Sequence, residues 1–136
     1  MRRIVTTIAL LGASLVVALA PTPASADSSV EITSATLVAR GVAVDVTLTV
    51  TCQPGLSGAS ELIIRQRSGD RVAYASGWAP LGSCTGEPQT VQGRAWAESG
   101  GLVLHKGVAL ISGGFELCGE TGCDYPRFEQ TFRITR

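Results

Sequence analysis

The side chains with the most specific chemistry in this 136-residue chain are its four cysteines, Cys52, Cys84, Cys118 and Cys123. An even number of cysteines in a small protein is typical of disulfides where the protein is exported, and the N-terminal sequence described below predicts export. A four-thiolate zinc site usually contains two closely spaced pairs, and here Cys118 and Cys123 alone are near each other in the sequence. The spacing therefore favours two disulfides over a metal site.

Signatures of catalysis are weak. A Ser-His-acid triad would have to use His105, the only histidine in the chain, yet no G-x-S-x-G motif is present. We interpret His105 as a solvated turn residue. Acidic residues such as Asp45, Glu98 and Glu129 fall on predicted outer faces, and nothing selects two of them as a glycosidase pair. No glycine-rich loop leads from a strand into a helix, so we expect neither an enzyme nor a bound cofactor.

Trp96 is the aromatic side chain that most resembles a binding residue. It shares a predicted strand face with Gln92, Arg94 and Glu98. An exposed tryptophan beside an arginine is a frequent partner contact. A shift of the strand register would instead place Trp96 in the core, and the sequence leaves both interpretations open.

The N-terminal residues have the pattern of a secretory signal peptide. Arg2 and Arg3 precede an apolar run over 4–20, and Ala24-Ser25-Ala26 supplies the small residues that signal peptidase requires. A membrane anchor is the weaker alternative, because the run is short and no basic stop-transfer segment follows it. We expect cleavage after Ala26, secretion to the extracellular space and no membrane attachment of the mature chain.

The mature chain over 27–136 is long enough for one domain with a modest core. The full sequence contains 11 basic and 11 acidic residues. Loss of Arg2 and Arg3 leaves 9 basic residues against the same 11 acidic ones, a net charge of −2. No basic patch points to nucleic acid as a partner.

The elements that position these side chains are predicted to be strands. From Val42 to Cys52 every even position is apolar and most odd positions are polar, which is typical of a strand with one buried face. Similar alternation, separated by glycine-containing turns, predicts about seven strands and no helix. The predicted strands cover 30–38, 42–52, 61–67, 71–78, 89–98, 102–118 interrupted at 105–107 by a bend or a second turn, and 127–136.

Without helices, a second sheet must cover the apolar faces of the first. The sequence therefore predicts an all-β fold, an immunoglobulin-like antiparallel β-sandwich of about seven strands, with a small closed barrel as the alternative. In the sandwich topology the strand that ends at Cys52 lies beside the strand that follows Cys84. We favour the pairs Cys52–Cys84 and Cys118–Cys123, while pairing of Cys52 with Cys118 stays open.

This arrangement places all four cysteines at one end of the domain, together with the loops over 53–58 and 119–122. The segment Cys118-x4-Cys123 near the C-terminus resembles the neocarzinostatin-type apochromoproteins, which implies a carrier of a small ligand. Residues 47–58 resemble a stretch of the Streptomyces subtilisin-inhibitor family, which implies a protease inhibitor.

A wider resemblance is to small secreted actinobacterial β-sandwich proteins of unknown function. It rests on the V-D-V-x-x-T-V-T-C strand that ends at Cys52, on the C-T-G-E-P-Q-T-V segment over 84–91 and on the K-G-x-A segment over 106–109. This resemblance implies a fold and a compartment but no activity.

Taken together, the sequence predicts a secreted, non-catalytic binding or structural module. Its partner would be an extracellular protein, a cell-wall component or a small ligand. One alternative is a protease inhibitor that presents the disulfide-tied loop over 118–123, and another is a small-ligand carrier of the apochromoprotein type.

Overall fold

The computed structural model describes residues 27–136, and the predicted signal peptide over 1–26 lies outside the described residues. The described chain contains eight strands, one 3-10 turn and no α-helix. No helix of this part is long and apolar enough to cross a membrane. The elements are β1 (Ser29–Val38), the 3-10 turn (Ala39–Gly41), β2 (Ala43–Thr51), β3 (Ser57–Ser68), β4 (Arg71–Leu81), β5 (Gln89–Ala97), β6 (Gly107–Gly119), β7 (Gly122–Asp124) and β8 (Arg127–Ile134).

The strands form one nearly closed sheet in the order β1-β2-β5-β4-β3-β6, with β7 and β8 following on the free side of β6. These neighbours are antiparallel. The sheet closes where β8 meets β1 in parallel, through the bridge between Thr36 and Thr135. At this seam the Leu37 amide donates to the Thr135 carbonyl at 2.9 Å, and the Thr135 amide donates to the Ala35 carbonyl at 2.9 Å.

The all-β prediction is confirmed, but an immunoglobulin-like sandwich is not, because the sheet is barrel-like. Strand β4 pairs with β3 along its whole length and also with β5 through Ala75–Trp78. This second pairing joins two sheets that a sandwich keeps apart. The closed barrel, which the sequence left as the alternative, describes the sheet better.

The interior of the barrel is filled by the inward side chains of the strands. In β2, Val44, Val46, Leu48 and Val50 are buried, as the alternation predicts. Val42 is 43% exposed because the chain leaves the 3-10 turn there in a helical conformation and the strand begins one residue later. The largest fully buried side chains include Phe115, Leu62, Ile64, Leu104, Ile111 and Leu117.

The ends of several strands differ from the prediction. Strand β3 begins at Ser57 and β4 continues to Leu81, so the hairpin that turns at Gly69 is longer than the alternation indicates. The predicted phase shift in the first strand is confirmed as a register shift between Ile32 and Ser34. In β8, Gln130 shares the predicted inner face but is exposed, and its side-chain oxygen accepts from the Ile32 amide at 3.4 Å.

Both disulfides lie at the same end of the barrel. They join Cys52 to Cys84 and Cys118 to Cys123, which is the pairing that the sequence analysis favours. The Gly55 amide donates to the Cys84 carbonyl at 3.1 Å, and Ser57 lies opposite Cys118 in the ladder between β3 and β6. The loops over 53–58 and 119–122, which were predicted to lie together at the cysteine-containing end, are therefore neighbours.

The segment over 118–123 is a tight hairpin and not the open loop that the sequence suggests. Cys118 lies opposite Cys123, and Gly119 lies opposite Gly122. Glu120 and Thr121 alone remain as the turn. The ladder fixes this hairpin from its base to its tip.

Gln66 is the largest polar side chain in the core, with 1% of its surface exposed. Its amide nitrogen donates to the His105 carbonyl at 2.8 Å, and its side-chain oxygen accepts from the His105 amide at 2.8 Å. The backbone N–H and C=O groups of His105 are thus both hydrogen-bonded to a side chain inside the barrel. The His105 ring itself is exposed, in agreement with its interpretation as a turn residue.

Candidate binding face

A cluster of large exposed side chains lies on the outer surface of β2, β5 and β4. Alternation along β4 turns Ala73, Ala75 and Ala79 inward and Trp78 outward. On β5 the inward positions are Val91, Gly93 and Ala95. We use the name tryptophan face for the outward residues Asp45, Trp78, Gln92, Arg94 and Trp96.

The two tryptophans of the chain are both on this face. Trp78 is 65% exposed and Trp96 is 51% exposed. In the ladder Trp78 lies opposite Arg94, and Trp96 follows Arg94 by two positions on the same strand. Such diagonal neighbours are about 7–8 Å apart, so the two indole rings flank a single arginine.

Arg94 is fixed from two sides. Its Nε donates to Asp45 Oδ1 at 2.5 Å and its Nη2 donates to Asp45 Oδ2 at 2.8 Å, a bidentate pair. The guanidinium carbon also lies 5.6 Å from the centre of the Trp96 ring, within range of a cation–π contact. The hydrogen bond from Arg94 lowers the pKa of Asp45, although partial burial acts in the opposite direction. The two charges therefore cancel within the face.

A depression of about 380 Å³ opens beside Trp78. It forms because β4 and β5 diverge beyond the Trp78–Arg94 pair, where their ladder ends. Pro80, Gln92 and Thr47 line it together with the Asp45–Arg94 pair and the indole of Trp78. Uncharged polar groups, one ion pair and an aromatic surface thus converge on one concave site.

Glycine is required where β4 crosses β5 next to this depression. A Cβ atom on Gly77 would lie 1.8 Å from the Arg94 carbonyl oxygen, and one on Gly93 would lie 2.8 Å from the Trp78 carbonyl oxygen. Both distances are shorter than any real contact. The two glycines allow the close approach that sets Trp78 opposite Arg94.

A larger depression, of about 590 Å³, lies on the outer surface of β3, β6 and β8. Its floor includes Gly114, and Tyr125 lines it with 59% of its surface exposed. The surrounding charges are of both signs. Within residues 27–136 the one salt bridge is Asp45–Arg94, so no ion pair fixes the charges of this larger site. For that reason the tryptophan face is the better candidate despite its smaller volume.

The structure decides between the two interpretations of Trp96, which is exposed beside Arg94 and Gln92 in the predicted register. Trp78 was missed as a candidate. The sequence gives no clear signal for it, because Ala73, Ala75 and Ala79 in the opposite phase of the strand are apolar as well. No group of three metal-ligating side chains occurs in the described part of the chain.

Comparison with known proteins gives no match to this chain among protein-family models, curated proteins or solved structures. The resemblances stated from sequence motifs therefore stay predictions.

Proposed function

We propose that this protein is a secreted, non-catalytic binding module whose ligand contacts the tryptophan face. The observation that supports this most is that both tryptophans are exposed on one face, where they flank Arg94. Arg94 is itself held by its salt bridge with Asp45. Single exposed apolar side chains are common and need no explanation. Two adjacent tryptophans are different, because tryptophan is enriched among residues that dominate binding energy.

The free energy available on this face is large enough for binding. A tryptophan side chain buries roughly 200 Å² when fully covered. The exposed fractions of Trp78 and Trp96, 65% and 51%, then leave roughly 230 Å² to cover, worth about 6 kcal/mol before the costs of association. The fixed Arg94 lowers those costs, since fewer side chains must become ordered.

The proposed compartment is extracellular. Two disulfides fit an oxidising environment, and the first 26 residues have the sequence pattern of a signal peptide. We further infer an immunoglobulin-like connectivity, since β2 lies beside β5, β3 beside β6 and β6 beside β8. In this reading β4 bridges the two sheets and closes them into a barrel.

The geometry supports the two alternative functions less well. An inhibitor that mimics a substrate must present several consecutive residues outside any ladder, whereas the hairpin over 118–123 offers Glu120 and Thr121. A carrier of an apolar ligand needs an internal cleft, whereas Phe115, Leu48 and Leu62 fill the barrel interior. Binding at the tryptophan face requires neither an extended loop nor an internal cleft.

Retention of extracellular material tests the proposal. The purified protein is immobilised and exposed to wall and medium fractions, and the retained mass is compared with that of the double variant Trp78→Ala/Trp96→Ala. Val103→Ala/Tyr125→Ala is the matched control, because these side chains are 53% and 59% exposed and lie off the face. We expect the control to retain the material and the tryptophan variant to lose it. Equal retention by both variants would refute the proposal.

A further inference from the structure

We propose that the ligand of the tryptophan face is an uncharged polysaccharide chain, whose sugar rings stack on Trp78 and Trp96. Hydroxyl groups of the same chain bind the Asp45–Arg94 pair and Gln92. This inference rests on the proposed function and adds the chemical class of the ligand.

The charge of the face points to a neutral ligand. Arg94 and Asp45 neutralise each other through two hydrogen bonds. The other outward positions on the paired stretch of β2 and β5 are Thr47, Thr49, Thr90 and Gln92, all uncharged. The nearest further charge is acidic, because Glu61 on β3 lies opposite Trp78 and is exposed. An anionic ligand would therefore find no unpaired basic side chain on the tryptophan face. An anionic polymer would instead be expected to contact a basic patch.

The hydrogen-bonding groups suit a polyhydroxylated ligand. Arg94 commits two of its five N–H donors to Asp45, which leaves others to donate to hydroxyl oxygens. The Asp45 carboxylate keeps free lone pairs, and the amide of Gln92 can both donate and accept. Sugar hydroxyls also donate and accept, so each of these groups has a complement on a sugar.

The aromatic groups suit the other surface of a sugar. One face of a pyranose ring consists largely of C–H bonds, and it packs against a flat apolar ring. Trp78 stands beside the depression of about 380 Å³, and Trp96 stands diagonally across Arg94. A chain can therefore contact one indole, then the ion pair, then the second indole.

A protein partner fits these observations less well. Stable protein interfaces cover about 800 Å² on each partner and have an apolar centre. Here the residues between the two tryptophans are Ser76 and Arg94, which are polar, and Glu61 lies opposite Trp78 on β3. Polar groups thus separate the two indole rings, an arrangement suited to successive sugar units.

The test uses cellulose, chitin, mannan and starch as neutral polysaccharides, with polygalacturonate as the anionic comparison. We expect the wild-type protein to be retained on at least one neutral polysaccharide. Both Trp78→Ala and Trp96→Ala should weaken retention by at least about tenfold, and Val103→Ala/Tyr125→Ala should not. Retention should change little between about 0.05 M and about 0.5 M NaCl, because no net charge is used. Tryptophan fluorescence should shift on binding, since both fluorophores lie on the face.

Three results would overturn the inference: retention by none of the neutral polysaccharides, a preference for polygalacturonate, or equal retention of the tryptophan variants. Retention of extracellular wall and medium fractions, the experiment given under the proposed function, distinguishes failure of the polysaccharide inference from failure of the binding function. Tryptophan-dependent retention that protease abolishes and polysaccharide hydrolases (cellulase, chitinase, mannanase and amylase) leave intact would keep the binding role and exclude these polysaccharides. Loss of retention after digestion by one of these hydrolases, and not after protease, supports the inference.

Discussion

Replacing Gln66 with methionine should destabilise the protein although it preserves the length of the side chain. The change removes the donor to the His105 carbonyl and the acceptor for the His105 amide, both at 2.8 Å. A buried polar group without a partner costs about 1–3 kcal/mol. Since the His105 side chain is exposed, water can reach part of this backbone, and we expect the lower end of the range for each group.

The predicted loss is therefore about 2 kcal/mol in the free energy of unfolding, which corresponds to a fall in Tm of roughly 8–10 °C for a domain of this size. Guanidinium chloride unfolding at pH 7 measures the first quantity and calorimetry the second. Gln92→Met is the matched control, because the same substitution at this exposed strand position should change stability by less than about 0.5 kcal/mol.

A second variant, Gln66→Glu, tests the direction in which stability changes with pH. A buried carboxyl group has a raised pKa, so the folded state would hold the proton more tightly than the unfolded state. The stability of this variant should fall as pH rises through that pKa, relative to wild type. If Gln66→Met and Gln92→Met were equally stable, the reasoning would be refuted, and the contacts of Gln66 with His105 would have to be replaceable by water.

Two further predictions concern covalent and ionic links. Cys52→Ala/Cys84→Ala removes a disulfide that spans 32 positions, and Cys118→Ala/Cys123→Ala removes one that spans 5 positions. The chain-entropy model predicts that the free energy of unfolding falls by about 3.7 kcal/mol in the first variant and by about 2.2 kcal/mol in the second. Denaturant unfolding measures both values, and a larger loss in the second variant would contradict the prediction. In Arg94→Gln the pKa of Asp45, measured by NMR titration of its carboxyl carbon, should rise towards its ordinary value. Because Arg94 lowers that pKa, its stabilising effect is present at neutral pH and is lost as pH falls from about 4 through the lowered pKa of folded Asp45. The unfolding free energies of wild type and variant should therefore converge in strong acid.

The sequence predicts the strands of this protein well where one phase is apolar and the other polar. In β2 the alternation identifies the buried face from Val44 to Val50, and in β5 it identifies Trp96 and Arg94 as sharing the opposite one. The period of two and the burial of one face act within a single strand, so local sequence contains the necessary information. Val42 breaks the pattern because the preceding turn, and not its own type, sets its backbone conformation.

The outward direction of Trp78 could not be predicted with the same rule. Both phases of β4 are apolar, with Val72, Tyr74 and Trp78 in one and Ala73 and Ala75 in the other. Alternation alone cannot say which set faces the core. The choice depends on the width of the barrel at this strand, which the other strands determine, and alanine is the residue that fits.

Closure of the sheet was beyond prediction for a similar reason. Whether β4 also pairs with β5 depends on the approach of two strands at Gly77 and Gly93, and a glycine in sequence does not reveal which backbone approaches it. The alternation of each strand is compatible with a sandwich and with a barrel. The alternation predicts seven of the eight strands and misses the short β7, and it does not show how the sheet ends.

The parallel seam between the first and last strands has a mechanical consequence. The N-terminal end of β1 points towards the disulfide-linked end of the barrel, where the Ser28 hydroxyl donates to Asp124, and the C-terminal end of β8 points away from it. A force that pulls the two chain ends apart would therefore slide β1 and β8 past each other lengthwise. The hydrogen bonds of Leu37 and Thr135 would be loaded together and not broken one after another. A protein held at one terminus and pulled at the other would resist extension first at this seam.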